Sequence, residues 1–125
     1  MNEELLQQLI RKYYGHIIDM EGSGAEILEL LFVRDKIQQI LDQSLPEDKL
    51  SLSLYGHLYE LDQSLWQERE TFLVVLGEQM LKHAREQRLS PRSHWWWYLD
   101  ELRMAPILPS EQRYHSTRTL SPVFA

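Results

Sequence analysis

Four large aromatic residues stand side by side at Trp95, Trp96, Trp97 and Tyr98, and no other feature restricts the fold of this chain as strongly. Neighbouring side chains point about 100° apart on an α-helix and to opposite faces on a β-strand. Because the four rings cannot all face one core, we expect Trp96 or Trp97 to be exposed. Trp95 and Tyr98, which are three residues apart, are expected to pack inward as a pair. The alternative is that the rings fill the end of the fold and pack beneath the C-terminal tail.

Apolar residues recur every three or four positions along most of the chain, which is the spacing of amphipathic α-helices. Ser23 or Gly24 is expected to cap the second helix. That helix also carries a long apolar run, so we expect it to be the central one. Ser90 and Pro91 are expected to end the fourth helix. The predicted helices cover residues 3–20, 25–43, a stretch from about 46, 64–88 and 93–103.

The connection between the third and fourth helices is open to two interpretations. Ser44 and Glu47 form a predicted capping box ahead of the third helix. A break near Asp62 to Ser64 then divides it from the fourth, or one helix runs from 46 to 88. We favour the break, because Asp and Ser are both helix-capping residues. The predicted core includes Leu31, Ile37, Leu61, Phe72 and Leu76.

Length and composition indicate one globular domain. The chain has 125 residues, of which 43% are hydrophobic and 26% charged, enough to bury a core without disulfides or a metal. Cysteine is absent, which excludes thiolate chemistry and cysteine-ligated zinc. We therefore predict an all-α protein, a small antiparallel bundle of four or five helices over residues 1–104 with an irregular, proline-containing C-terminal tail over 105–125. Glu3 and Glu4 stand where a signal peptide would be basic, so we expect a cytoplasmic protein.

Charge is distributed unevenly along the chain. The net charge of −6 combines −9 over residues 1–81 with +3 over residues 82–125. A basic, aromatic end on an acidic body suits an anionic membrane surface, a nucleic acid or the chain's own acidic face. Arg92 and His94 beside the tryptophans could also stack on bases. A charge of +3 over so many residues is weak, however, and argues against nucleic acid as the partner.

Motifs of known chemistry are largely missing from the sequence. His57 and Glu60 lie three apart, but in the reverse order of the Glu-x-x-His pairs of bundle metal sites, and they occur once. Neither a nucleophile elbow nor a phosphate-binding or dinucleotide-binding loop is present. We assign no catalytic residue, cofactor or metal. An acid–base role stays open for three carboxylates, those of Asp19, Glu21 and Glu60.

One stretch of the sequence resembles a known segment. It begins with Leu61-Asp62-Gln63-Ser64-Leu65 and ends with Pro91-Arg92-Ser93-His94-Trp95-Trp96-Trp97-Tyr98-Leu99-Asp100. This pattern resembles a helical segment near the N-terminus of some large cyanobacterial signalling and membrane-anchored proteins, over residues 61–101. The resemblance implies an accessory, non-catalytic interaction segment near a membrane, with no established active residues.

These observations lead us to expect a non-catalytic protein-interaction module, such as an adaptor, an assembly factor or a regulatory subunit. Large exposed rings dominate the energetics of interfaces, so the aromatic block and the tail are the expected contact surface. The partner is expected to be a protein or a second copy of the chain, and peripheral membrane contact stays open. The alternative is a small helical enzyme or ligand-binding protein with a pocket between the tryptophans and the acidic helices. The expected partner-binding residues are Arg92, Trp95, Trp96, Trp97, Tyr98, Arg103 and Tyr114.

Overall fold

The structure is a computed structural model that describes residues 3–20, 22–43 and 52–102. Within these ranges the chain forms five α-helices and one 3₁₀ turn, with no strand. The predicted all-α helical bundle is therefore confirmed. The helices are α1 (Glu3–Ile18), α2 (Gly24–Asp42), α3 (Leu52–Gln67), α4 (Arg69–Leu76) and α5 (Glu78–Arg88), and the 3₁₀ turn is Trp95–Trp97.

The first two helices follow the sequence pattern closely. Ser23 caps α2 by accepting a hydrogen bond from the backbone N–H of Glu26, while the Glu26 carboxylate accepts one from the N–H of Ser23. This reciprocal capping box satisfies two amide groups that the helix start would leave unpaired. α2 packs against α1, α4 and the 3₁₀ turn, which confirms its central position. Its buried residues are Ile27, Leu30, Leu31, Val33, Arg34 and Ile37.

The breaks between the later helices differ from those predicted. α3 ends at Gln67 and α4 begins after Glu68, so the favoured break near Asp62 to Ser64 is wrong. Asp62 lies inside α3 and is buried against an arginine of α2, so it does not cap a helix. The predicted helix over 64–88 is also divided, at Gly77, whose φ of 91° suits a residue without a Cβ atom.

Most of the predicted core is buried, with one exception. Leu31, Ile37, Phe72 and Leu76 belong to the buried cluster, whereas Leu61 is only partly buried at its edge. The predicted capping box at Ser44 and Glu47, and the whole of the predicted tail over 105–125, lie outside the residues that the structure describes.

Replacing Phe72 by Ala should lower the free energy of unfolding by about 3–5 kcal/mol, because this fully buried ring would leave a cavity. Val74 lies two residues further along α4 and is 83% exposed, so Val74→Ala is the matched control. It should change the stability by less than about 0.5 kcal/mol. Chemical denaturation measures both, and equal stabilities would contradict the placement of α4 in the core.

Candidate functional site

The tryptophans lie in an irregular segment, residues 90–102, which we call the tryptophan loop. The predicted helix over 93–103 is wrong, because the described part of this segment has only the short 3₁₀ turn. All three indoles are buried, with exposed fractions of 5% for Trp95, 1% for Trp96 and 0% for Trp97. The expectation that Trp96 or Trp97 is exposed is therefore also wrong. A 3₁₀ turn directs successive side chains about 120° apart, and each ring of this turn meets a different set of neighbours.

Asp35 of α2 accepts hydrogen bonds from two of the indoles. Trp96 Nε1 donates to its Oδ1 at 2.8 Å, and Trp97 Nε1 donates to Oδ1 at 2.9 Å. Arg88 of α5 donates to Oδ2 at 2.8 Å and lies over the Trp97 ring. His94 stacks on Trp96, with 4.7 Å between ring centroids. One carboxylate of α2 thus joins the tryptophan loop to α5.

Arg34, the residue before Asp35, takes part in a second hydrogen-bond network, which is more deeply buried. Its guanidinium donates to both carboxylate oxygens of Asp62, at 2.9 and 3.0 Å, and its Cζ lies 4.1 Å from the centre of the Trp96 ring. Tyr13 of α1 donates its hydroxyl to Asp62 at 2.6 Å. Burial lowers the pKa of Arg34, but Asp62 and Tyr13 more than compensate, so the pKa is raised overall. Arg34 therefore stays charged in the core.

Arg85 of α5 holds the end of the tryptophan loop. It donates to the backbone oxygen of Trp97 at 2.8 Å and to the carboxylate of Asp100 at 2.6 Å, and it also pairs with Glu101. Burial alone would lower the pKa of Arg85, but the hydrogen bond and charge of Asp100 raise it. The loop is thus fixed by α2 from one side and by α5 from the other.

The remaining predicted partner-binding residues lie in different environments. Tyr98 is half-buried and lies between Arg85 and Arg92, each 4.8 Å from the centre of its ring. Its hydroxyl donates to the backbone oxygen of Ser90 at 2.5 Å. Arg92 is 74% exposed and pairs with a carboxylate of the same loop. Arg103 and Tyr114 lie outside the described residues.

A polar cleft lies between α2 and the tryptophan loop. Its volume is about 400 Å³, and Asp35, Asp42, Arg88 and His94 are among the residues that line it. The His94 Nδ1 atom is 3.4 Å from Asp35 Oδ1, so one wall of the cleft is the carboxylate that binds the indoles. The cleft lies beside the segment that carries the tryptophans, but none of the three indoles is among its lining residues.

A larger groove, which the sequence reasoning missed, lies between α1 and α3. It has a volume of about 570 Å³ and an apolar floor formed by Ile10, Tyr14, Leu54 and Leu61. Its polar lining includes Arg11, His57 and Glu60. Tyr14 is 51% exposed, and Ile18, one helical turn later, is 66% exposed. Both residues lie beside the buried stripe of α1, and this second apolar row is the sequence signal that could have indicated the groove.

Replacing Trp96 by Ala should lower the free energy of unfolding by about 3–5 kcal/mol, since a buried ring and its hydrogen bond to Asp35 are lost together. Arg92→Ala in the same loop is the control and should cost less than about 1 kcal/mol, as exposed ion pairs usually do. Thermal or chemical melts compare the two. A Trp96→Ala protein as stable as Arg92→Ala would show that Trp96 is not part of the core.

Tyr13→Phe tests the buried network of Tyr13, Arg34 and Asp62 through the pH dependence of the protein's stability. Burial above all, and then the charge of Asp62, raise the pKa of Tyr13 well above its ordinary value of 10.0, so the folded protein keeps a proton that the unfolded chain releases. The resulting stability is fully present below about pH 10 and is lost as pH rises through the raised pKa. In that range the wild type should lose about 1.4 kcal/mol per pH unit relative to Tyr13→Phe. Denaturation on both sides of pH 10 measures this; parallel pH profiles would contradict the network.

Three searches, for a metal site and a membrane-spanning helix among the described residues and for similar proteins, found nothing. Among the described residues, no three His, Asp or Glu side chains are grouped so that they could hold a metal ion. No helix in the described ranges is both long enough and apolar enough to cross a membrane. The chain matches no protein-family model, and the comparisons found no significant similarity to a curated protein or to a solved structure.

Proposed function

We propose that this protein is a non-catalytic protein-interaction module, such as an adaptor, an assembly factor or a regulatory subunit, and that it binds a protein through the groove between α1 and α3. The observation that carries the proposal is Tyr14, a half-exposed aromatic residue that forms part of the apolar floor. Tyrosine is enriched at protein interfaces because its ring buries a large apolar area while its hydroxyl tolerates water. Ile18 extends the apolar row beyond the groove.

This assignment moves the contact surface away from the indoles. Trp95, Trp96 and Trp97 are buried, so their rings act within the fold. Arg92 and Tyr98 keep part of their surface accessible on the outside of the tryptophan loop. A role for these two residues in binding, together with Arg103 and Tyr114, stays a prediction for a secondary contact.

The hydrogen bonds made by the clustered charged side chains support a non-catalytic role. Arg34, Asp35, Asp62 and Arg85 each make hydrogen bonds that join two elements of the fold. Such buried pairs fix the relative position of helices, and each bond that they make holds structure together. We therefore assign these groups to the architecture.

The proposed setting follows from the sequence. A cytoplasmic location stays a prediction of the sequence analysis. The resemblance of residues 61–101 to a segment of large cyanobacterial proteins supports an accessory, non-catalytic role. Peripheral contact with a membrane stays a weaker alternative, to which the basic C-terminal part of the chain would contribute.

The polar cleft beside the tryptophan loop favours a second candidate, a ligand-binding protein. Asp35 and Asp42 place two carboxylates near Arg88 and His94 around a space of about 400 Å³, which is enough for a small polar molecule. A ligand there would stabilise the folded protein against heat in proportion to its concentration. The groove is the better candidate because it is larger and has an apolar floor.

A photoreactive amino acid placed at Gln7, an exposed residue of the groove, should form covalent adducts with a protein partner in a lysate of the source cells. Tyr14→Asp should reduce the adduct about tenfold or more, because loss of an aromatic hot spot typically costs about 2 kcal/mol. Val74→Asp introduces the same charge at an exposed apolar site on α4 and should leave the adduct unchanged. Adducts that form equally in all three backgrounds, or in none, would contradict the proposal.

A further inference from the structure

We propose that the occupant of the groove is a second copy of this chain, in a two-fold symmetric dimer that sets α1 of each copy against α3 of the other. This inference rests on the proposed function, since it names the partner of the same groove. The two walls of the groove carry opposite charges, because α1 contributes Arg11 and α3 contributes Glu60. Both side chains are exposed, and neither makes an ion pair or a side-chain hydrogen bond with a described residue.

The direction and register of the two helices place these charges at one level. Tyr13 donates a hydrogen bond to Asp62, which places these two residues at similar heights along the helix pair. Ile17 and Ser64 line another depression further along in both helices, so α1 and α3 run in the same direction. Arg11 and Glu60 each precede the bonded pair by two residues, and therefore lie about 3 Å before it, at a common level.

Two-fold symmetry turns this common level into a complementary contact. A two-fold axis that runs parallel to the helices, in the plane of the contact, places α1 of one copy over α3 of the other at the same level. Arg11 of each copy then faces Glu60 of its partner, which forms two equivalent ion pairs on the two sides of the axis. The apolar floor with Tyr14 closes between these pairs and supplies the buried centre that a stable interface needs.

The charges of the groove contribute more to the specificity of the dimer than to its affinity. Exposed ion pairs add little affinity, whereas like charges placed opposite each other disfavour a complex. A surface with one cation and one anion at the same level is complementary to itself when the axis exchanges the two helices. Each copy carries a net charge of −6, so general repulsion opposes the dimer and the local complementarity must act against it.

Charge reversal tests the arrangement by analytical ultracentrifugation of the full chain at about 0.15 M salt. Wild type should dimerise, and Arg11→Glu and Glu60→Arg should each raise the dimer dissociation constant about tenfold or more. Glu60→Arg is the more informative variant, because it lowers the net negative charge of the chain. If the net charge alone controlled dimerisation, this variant would dimerise more strongly than wild type, whereas we expect it to dimerise more weakly. The controls are two exposed sites outside the groove, Lys36→Glu and Glu70→Arg, which should leave the constant within about threefold.

Mixing the two single variants is the decisive measurement. In the mixed dimer the two substituted side chains would face each other with opposite charges on one side of the axis, and the native pair would form on the other. An equimolar mixture of Arg11→Glu and Glu60→Arg should therefore recover wild-type dimerisation within about threefold. An intramolecular role for the two charges would not be rescued by mixing. Failure of the mixture, or a monomeric wild type at millimolar concentration, overturns the dimer.

The photoreactive residue at Gln7 separates this inference from the proposed function. Adducts of the chain with itself support both. Adducts with a different protein, together with a monomeric wild type, overturn the dimer and leave the interaction module standing. Absence of any adduct overturns the interaction through this groove altogether.

Discussion

Arg34 of α2 and Asp62 of α3 are both almost fully buried, and they meet through two hydrogen bonds. Removing two charges from water costs several kcal/mol per ion, and the pair offsets this only with good geometry and further hydrogen bonds. Tyr13 of α1 supplies such a bond to Asp62, while the ring of Trp96 covers the guanidinium. Any displacement of α1, α2 or α3 would therefore leave a buried charge poorly paired, and this requirement fixes how the three helices sit together.

The same turn of α2 also fixes the tryptophan loop. Adjacent helix residues point about 100° apart, so Arg34 faces α3 while Asp35 faces the loop and α5. Asp35 binds the indole N–H groups of Trp96 and Trp97, and Arg88 pairs with its second oxygen. A segment with little regular backbone structure is therefore held by side-chain bonds, to Asp35 on one side and to Arg85 on the other. The buried Nε1 of Trp95, by contrast, has no hydrogen-bond partner among the described residues, with which this indole makes packing contacts.

Local signals in the sequence predicted the local features well. The bounds of α1 and α2 were predicted to within two residues, and the cap at Ser23 was identified, because periodicity and capping involve residues a few positions apart. Asp62 was misread as a cap because its partner lies 28 residues away, where no short pattern shows it. The tryptophans were misread because a regular helix or strand was assumed for them. Their burial depends on Asp35, more than 60 positions away.

The groove between α1 and α3 depends on the same buried network. The hydrogen bond from Tyr13 to Asp62 sets the level of one wall against the other, and Arg11 and Glu60 derive their common level from it. Sequence reasoning placed Leu61 in the core, whereas the structure leaves it partly exposed on the groove floor. The surface is thus not independent of the interior. A change that lets α1 slide along α3 by one turn, about 5.4 Å, would separate the two charges and remove the self-complementarity without substituting any residue of the surface.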